Sequence, residues 1–178
     1  MKKRYLSAQE FLHDCWRLAS IVRKSPWRPD AIVALWRGGA GVGVAMHEYF
    51  KYTGWDVRHY PLKCSSYSAI GENSGEVEFF LKDELLRQFS KGENVLVVDD
   101  VFDTGKTAKS MKDVLSSSGV NSKIACVYWK REKNTVDIQP DYYAADMSGD
   151  WIVFPHEIEG LSIDEIGEKD PFLLKCLI

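Results

Sequence analysis

A chain of 178 residues, 45% hydrophobic and 28% charged, is sized and composed for a single soluble domain with a substantial core. A net charge of −3 leaves no basic excess for neutralising a polyphosphate backbone, which argues against a nucleic-acid binder. The longest apolar runs, such as Ala31–Trp36 and Val95–Val98, are far too short to span a bilayer, and no apolar run follows the basic Met1–Arg4, so neither a membrane span nor a signal peptide is expected. Along the chain, Ser7 with Glu10 forms a capping box that opens a helix to about Ser25. In it Phe11, Leu12, Cys15, Trp16, Ala19 and Val22 recur at helical spacing, and Pro26 and Pro29 end it. A strand over Ala31–Leu35 runs into glycine-rich Arg37–Gly43, followed by a helix from about Val42 to Tyr52 and a strand over Trp55–Leu62. Cys64–Gly75 is polar and predicts a mobile loop, and Leu81–Phe89 predicts a helix. Val95–Val98 is apolar without alternation, as a strand buried on both faces requires. A helix over Thr104–Ser117 then stops at Gly119, with strands over Ser122–Trp129, Tyr142–Ala145 and Trp151–Phe154 beyond it. The tail after Gly160, acidic and then apolar, has no assigned role. Alternating strands and helices predict a single α/β domain over residues 1–178, a parallel sheet with helices on both faces, and ligands beyond the carboxyl ends of its strands.

The four cysteines, Cys15, Cys64, Cys126 and Cys176, lie far apart without zinc-ligand spacing and suit a reducing cytoplasm. The chemistry concentrates elsewhere, in Val95–Ser110 (VLVVDDVFDTGKTAKS). A helix that opens at Thr104-Gly105-Lys106-Thr107 presents unpaired N–H groups and a positive dipole end, which bind phosphate. The paired acids Asp99 and Asp100 fit sugar hydroxyls, a cationic centre or a magnesium ion, and Asp103 is placed for proton transfer. Helix capping would explain one such acid but not three after a buried strand. A Walker A loop is excluded, because Asp100 stands where that motif needs its first glycine. Earlier in the chain, Arg37-Gly38-Gly39 combines a bidentate cation with backbone N–H groups that can face an anion.

Together these segments resemble the type I phosphoribosyltransferases. The resemblance implies a three-layer fold, a parallel sheet between helices with a small hood formed by terminal segments. It implies phosphoribosyl diphosphate as donor with Mg²⁺ as cofactor, Asp99 and Asp100 on the ribose hydroxyls, and Asp103, Thr104, Gly105, Lys106 and Thr107 around the 5′-phosphate. Arg37, Gly38 and Gly39 would hold the diphosphate, with a non-proline cis peptide at Trp36-Arg37 or Arg37-Gly38. Ser66 and Tyr67 match the flexible loop that closes over the site. The order of Val127–Arg131 (VYWKR) and Trp151–Glu157 (WIVFPHE) resembles the hypoxanthine-guanine and xanthine-guanine enzymes. That implies a purine base held by Lys130 at its exocyclic oxygen, Trp151 stacked on the ring, Ile152 reading the edge, and Glu157 on a second metal. Aspartate is usual at the last position and His156 replaces an aromatic residue, so this chain departs from the pattern there. The resemblance further implies a cytoplasmic homodimer or homotetramer acting in purine salvage. A phosphoribosyltransferase for another base, or a ligand-sensing regulatory protein on the same fold, are the alternatives.

Overall fold

The computed structural model describes residues 3–66, 77–149 and 151–177. Its elements follow the alternation read from the sequence: β1 (Lys3–Tyr5), α1 (Ala8–Lys24), β2 (Ala31–Trp36), α2 (Gly39–Tyr52), β3 (Arg58–Ser66), β4 (Val77–Phe79), α3 (Lys82–Leu86), β5 (Asn94–Phe102), α4 (Lys106–Ser117), β6 (Asn121–Trp129), β7 (Tyr142–Asp146), β8 (Trp151–Val153), α5 (Ile163–Lys169) and α6 (Pro171–Leu177). The fold groups into two units, Leu12–Gly149 and the paired terminal segments Met1–Phe11 with Asp150–Ile178.

In the larger unit the described strands form one sheet in the order β4-β3-β2-β5-β6-β7, parallel except for β4, which runs antiparallel to β3. From β2 the chain crosses through α2 to β3, and from β5 through α4 to β6, in opposite directions along the sheet. Right-handed crossovers therefore put α2 and α4 on opposite faces. Strand alternation supplies both cores. Val33, Leu35, Val95, Val97, Ile124 and Cys126 pack with Met111 and Leu115 of α4, whereas Ala34 and Val98 lie under Gly43 of α2. Val95–Val98 are all buried, as an apolar run without alternation predicts.

Several boundaries differ from the sequence reading, for identifiable reasons. β5 does not stop at Val98 but carries its ladder to Phe102↔Trp129, since acidic side chains do not prevent backbone pairing. β3 covers Arg58–Ser66 rather than Trp55–Leu62, because Trp55 and Val57 are buried in the turn that precedes the strand. α2 begins at Gly39, so most of the glycine-rich stretch is helical rather than loop. α4 starts at Lys106, and α3 is a single short turn. In α1 the Ser7–Glu10 capping box forms as read, and Cys15, Ala19 and Val22 are buried, but Leu12 and Trp16 face outward.

The terminal unit is built from both ends of the chain. β1 pairs in parallel with β8, Lys3↔Trp151 to Tyr5↔Val153, and Phe11 meets Phe154 edge to face at 5.5 Å. The tail that lacked a role folds as α5 and α6. Ser162 and Glu165 form a capping box that starts α5, and Glu165 also binds the Lys3 ammonium. Among the described residues no helix is long and apolar enough to cross a membrane.

Leu115 is fully buried between α4 and the sheet. Leu115→Ala should lower the free energy of unfolding by about 2–5 kcal/mol, the range for truncating a core leucine, measured by urea titration. A loss below about 1 kcal/mol would place it outside the core.

Candidate functional site

Two strand ends meet at the point where the chain leaves the sheet in opposite directions. Pairing of β2 with β5 stops at Ala34↔Val98, while β5 continues through Asp99 and Asp100 against β6. Neighbouring strands whose connections diverge leave a crevice at their carboxyl ends, the usual ligand position in such sheets. Trp36-Arg37-Gly38 fills one wall of this crevice before α2 begins, and the Trp36–Arg37 peptide is cis, at one of the two bonds anticipated. A side chain at Gly38 would collide with the Asp100 carboxylate, and one at Gly39 with the Val98 carbonyl. Both positions are therefore restricted to glycine by close approach, and the Gly39 N–H donates to Asp99.

The opposite wall is the turn between β5 and α4. Gly105 has φ +81°, and a side chain there would strike Val136 and the Phe102 ring. The N-cap of α4 is Gly105, which has no side chain to cap the helix, and the Lys106 N–H makes only a long contact, 3.5 Å, to the Thr104 hydroxyl, so this first turn is suited to a phosphate. Asp99, Asp103, Thr104, Gly105 and Thr107 line a cavity of about 90 Å³ together with apolar residues that include Leu35 and Cys126. The sequence reading missed what braces this turn. Thr135 donates to the Thr104 carbonyl from its backbone N–H (3.0 Å) and its hydroxyl (3.1 Å). The Asn134 carboxamide holds the segment in place by accepting from the Val136 N–H and donating to the Ile138 carbonyl. An Asn-Thr pair between strands was the available signal.

Lys130 follows β6 directly and is tied to the phosphate turn, since its N–H donates to the Phe102 carbonyl at 3.0 Å. The residue is 6% exposed, and among the described residues no carboxylate pairs with it. Asp103 has one buried oxygen, Oδ1, without a hydrogen-bond partner, and its Oδ2 lies 3.8 Å from the Lys133 ammonium.

This geometry joins the comparisons with known proteins. The phosphoribosyl transferase domain matches residues 1–162. The chain belongs to the phosphoribosyltransferase family. It is 27% identical over 154 residues to a hypoxanthine-guanine phosphoribosyltransferase of Lactococcus lactis, covering 86% of this chain and 81% of that enzyme. A purine phosphoribosyltransferase of Pyrococcus horikoshii superposes with a TM-score of 0.70 at 27% identity, covering 91% of this chain and 98% of that one. A Neisseria gonorrhoeae protein solved with bound ppGpp shares the fold, with a TM-score of 0.74 at 20% identity over 99% and 98% of the two chains. The expected α/β fold and reaction class are thereby borne out.

As a phosphoribosyltransferase, the larger unit holds Arg37, Gly38, Gly39, Asp99, Asp100, Asp103, Thr104, Gly105, Lys106, Thr107 and Lys130. Ser66 ends β3, and Tyr67 lies outside the described residues. Trp151 and Ile152 form β8 of the terminal unit, Trp151 half exposed and Ile152 buried. The Glu157 carboxylate accepts from the Phe154 N–H at 2.9 Å and so closes its own turn.

Asp99, half-buried, and Asp100, buried, adjoin at the end of the β2–β5 strand pairing. Burial, then the charge of Asp100, hold the Asp99 carboxyl well above the usual carboxylate range, opposed by N–H donation from Asp100 and Gly39. Such a pair favours a proton or a cation, and its hard oxygens suit Mg²⁺. The raised value has a sign in stability. The folded protein binds this proton more tightly than the unfolded chain, so stability falls as pH rises from the unfolded-state carboxyl pKa toward the folded one. Asp99→Asn removes that loss while keeping an oxygen for the Asp100 N–H. Without ligands, the variant should melt higher than wild type near pH 7, with the gap closing near pH 4, around the unfolded carboxyl pKa. A variant equally or less stable at neutral pH would refute this.

Proposed function

We propose that the enzyme transfers the 5-phosphoribosyl group from phosphoribosyl diphosphate to N9 of a 6-oxopurine (hypoxanthine, guanine or xanthine), releasing diphosphate, as a purine-salvage enzyme of the cytoplasm that assembles as a homodimer or homotetramer. The observation that supports the choice of base is Lys130, a largely buried residue with no carboxylate partner among the described residues, bonded through its backbone to the end of β5. An ammonium group only donates, and the carbonyl of a 6-oxopurine offers it an acceptor where the amino group of adenine does not. The named relatives support the same reading, since the Lactococcus lactis enzyme is a hypoxanthine-guanine phosphoribosyltransferase.

The residues divide the work. The α4 amides with Thr104, Lys106 and Thr107 receive the 5′-phosphate, and Asp99 and Asp100 accept from the ribose hydroxyls. Arg37 and the Gly38 amide hold the diphosphate as it leaves C1′, which acquires oxocarbenium character, while Gly39, whose N–H is given to Asp99, keeps the loop close to β5. The Asp99–Asp100 pair would hold Mg²⁺, which would supply positive charge against that of the diphosphate. Purine N9 attacks from the face opposite the leaving group and inverts the anomeric centre. Asp103 manages the purine N7 proton, while Lys130 stabilises negative charge on O6. Trp151 stacks on the base, the Ile152 backbone reads its edge, Ser66 and Tyr67 close over the donor, and Glu157 is the residue matched to a second metal.

The test is a base panel. With phosphoribosyl diphosphate and Mg²⁺, hypoxanthine, guanine or xanthine should yield nucleotide and diphosphate, and adenine should not; absence of product with every purine refutes the proposal. Lys130→Ala should lower kcat/KM for 6-oxopurines by about 10²-fold and leave the KM for the donor little changed. An equal loss with every base would count against base reading. Asp103→Asn should cut kcat by roughly 10²–10⁴-fold with an unchanged melting temperature, and a variant that keeps most of its turnover removes Asp103 from proton transfer.

A further inference from the structure

Cys64 stands beside the diphosphate loop and has no part in the mechanism above. It sits on β3 one residue past the Trp36↔Lys63 pair and faces the same core as Leu62 and Leu35. Its Sγ lies 3.4 Å from the Trp36 carbonyl oxygen, in hydrogen-bonding geometry. That carbonyl belongs to the peptide that leads into Arg37, at the point where β2 has already lost its pairing with β5. We propose that Cys64 is a positioning residue for diphosphate binding: its thiol donates to the Trp36 carbonyl and so sets the orientation in which Arg37 and the Gly38 amide meet the leaving group.

The alternatives for a cysteine here fit less well. Burial, then the charge of Asp99, push the thiol up to about 11, so at neutral pH it is an S–H donor and a poor nucleophile. The same influence of Asp99 puts Cys64 within electrostatic reach of the acidic pair as well as of the loop. A neutral donor suits that place, because a cation would compete for Asp99 and an acid would repel it. The inference rests on the donor-site reading of Arg37–Gly39.

Cys64→Ala removes the donor, and Cys64→Ser keeps one of similar size. Two quantities are read for wild type and both variants: calorimetric binding of inorganic diphosphate with Mg²⁺, and steady-state kcat with separate KM values for donor and purine. Cys64→Ala should weaken diphosphate binding and raise the donor KM by roughly three- to tenfold, the worth of one weak neutral hydrogen bond, with purine KM changed by less than about twofold. Cys64→Ser should recover most of the loss. Equal defects in both variants, or a purine KM that moves in step with the donor KM, would identify a packing role and overturn the proposal. If wild type binds diphosphate and Cys64→Ala binds it as tightly, the positioning role alone falls. If wild type binds no diphosphate, the donor-site reading falls and the proposal falls with it.

Discussion

The approach of the Arg37–Gly39 backbone to β5 governs the rest of the site. Parallel strands normally stay in register through their pairing, and β2 and β5 do so only as far as Ala34↔Val98. Beyond that pair the space between them is occupied by backbone, with Gly38 against the Asp100 carboxylate and Gly39 against the Val98 carbonyl. A methyl group at either position would force the loop away from the strand and open the wall between the acids and the diphosphate loop. The divergence of the two crossovers creates the crevice, and the absence of two side chains lets the loop approach β5 along it.

This arrangement gathers polar groups that the fold alone stabilises poorly. Asp99 and Asp100 adjoin in a setting that penalises ionisation, Asp103 keeps one oxygen buried and unbonded, and Lys130 is buried without a carboxylate partner among the described residues. Each feature costs the free protein stability, since buried polar groups are ordinarily satisfied. A ligand carrying phosphates, hydroxyls, a divalent cation and a carbonyl would satisfy them together. Local violation of otherwise consistent folding rules is the mark of a site selected for binding rather than for stability.

What was legible in the sequence was what local pattern determines. Val95–Val98 is a buried strand because four adjacent apolar side chains admit no exposed face, and the Ser7–Glu10 cap is a local contact between neighbours. Legibility failed where a distant partner decides. β5 continues past Asp99 because β6 is beside it, and Gly39–Gly43 is helical because α2 lies tightly on Ala34 and Val98. Leu12 and Trp16 have helical spacing but lie off the buried stripe, which periodicity over one helix did not resolve. The contacts of Thr135 and Cys64 depend on distant partners too: each acts on a carbonyl roughly thirty positions away in the chain, Thr104 for one and Trp36 for the other, so that for Thr135 only the turn-forming Asn-Thr pair was readable.

The two units carry different parts of the recognition problem. Everything assigned to the donor among the described residues lies within Leu12–Gly149, on strand ends and helix starts fixed by the parallel sheet. Rigid elements suit that task, because a diphosphate and a 5′-phosphate must be held at fixed separation from the reacting carbon. Residues assigned to the base are divided, Lys130 in the larger unit and Trp151 and Ile152 in the terminal one. Lys130 is tied by its N–H bond to Phe102 to the strand that carries Asp99 and Asp100. A change in β8 leaves that ladder bond intact, whereas a change that shifts Lys130 pulls on the end of β5.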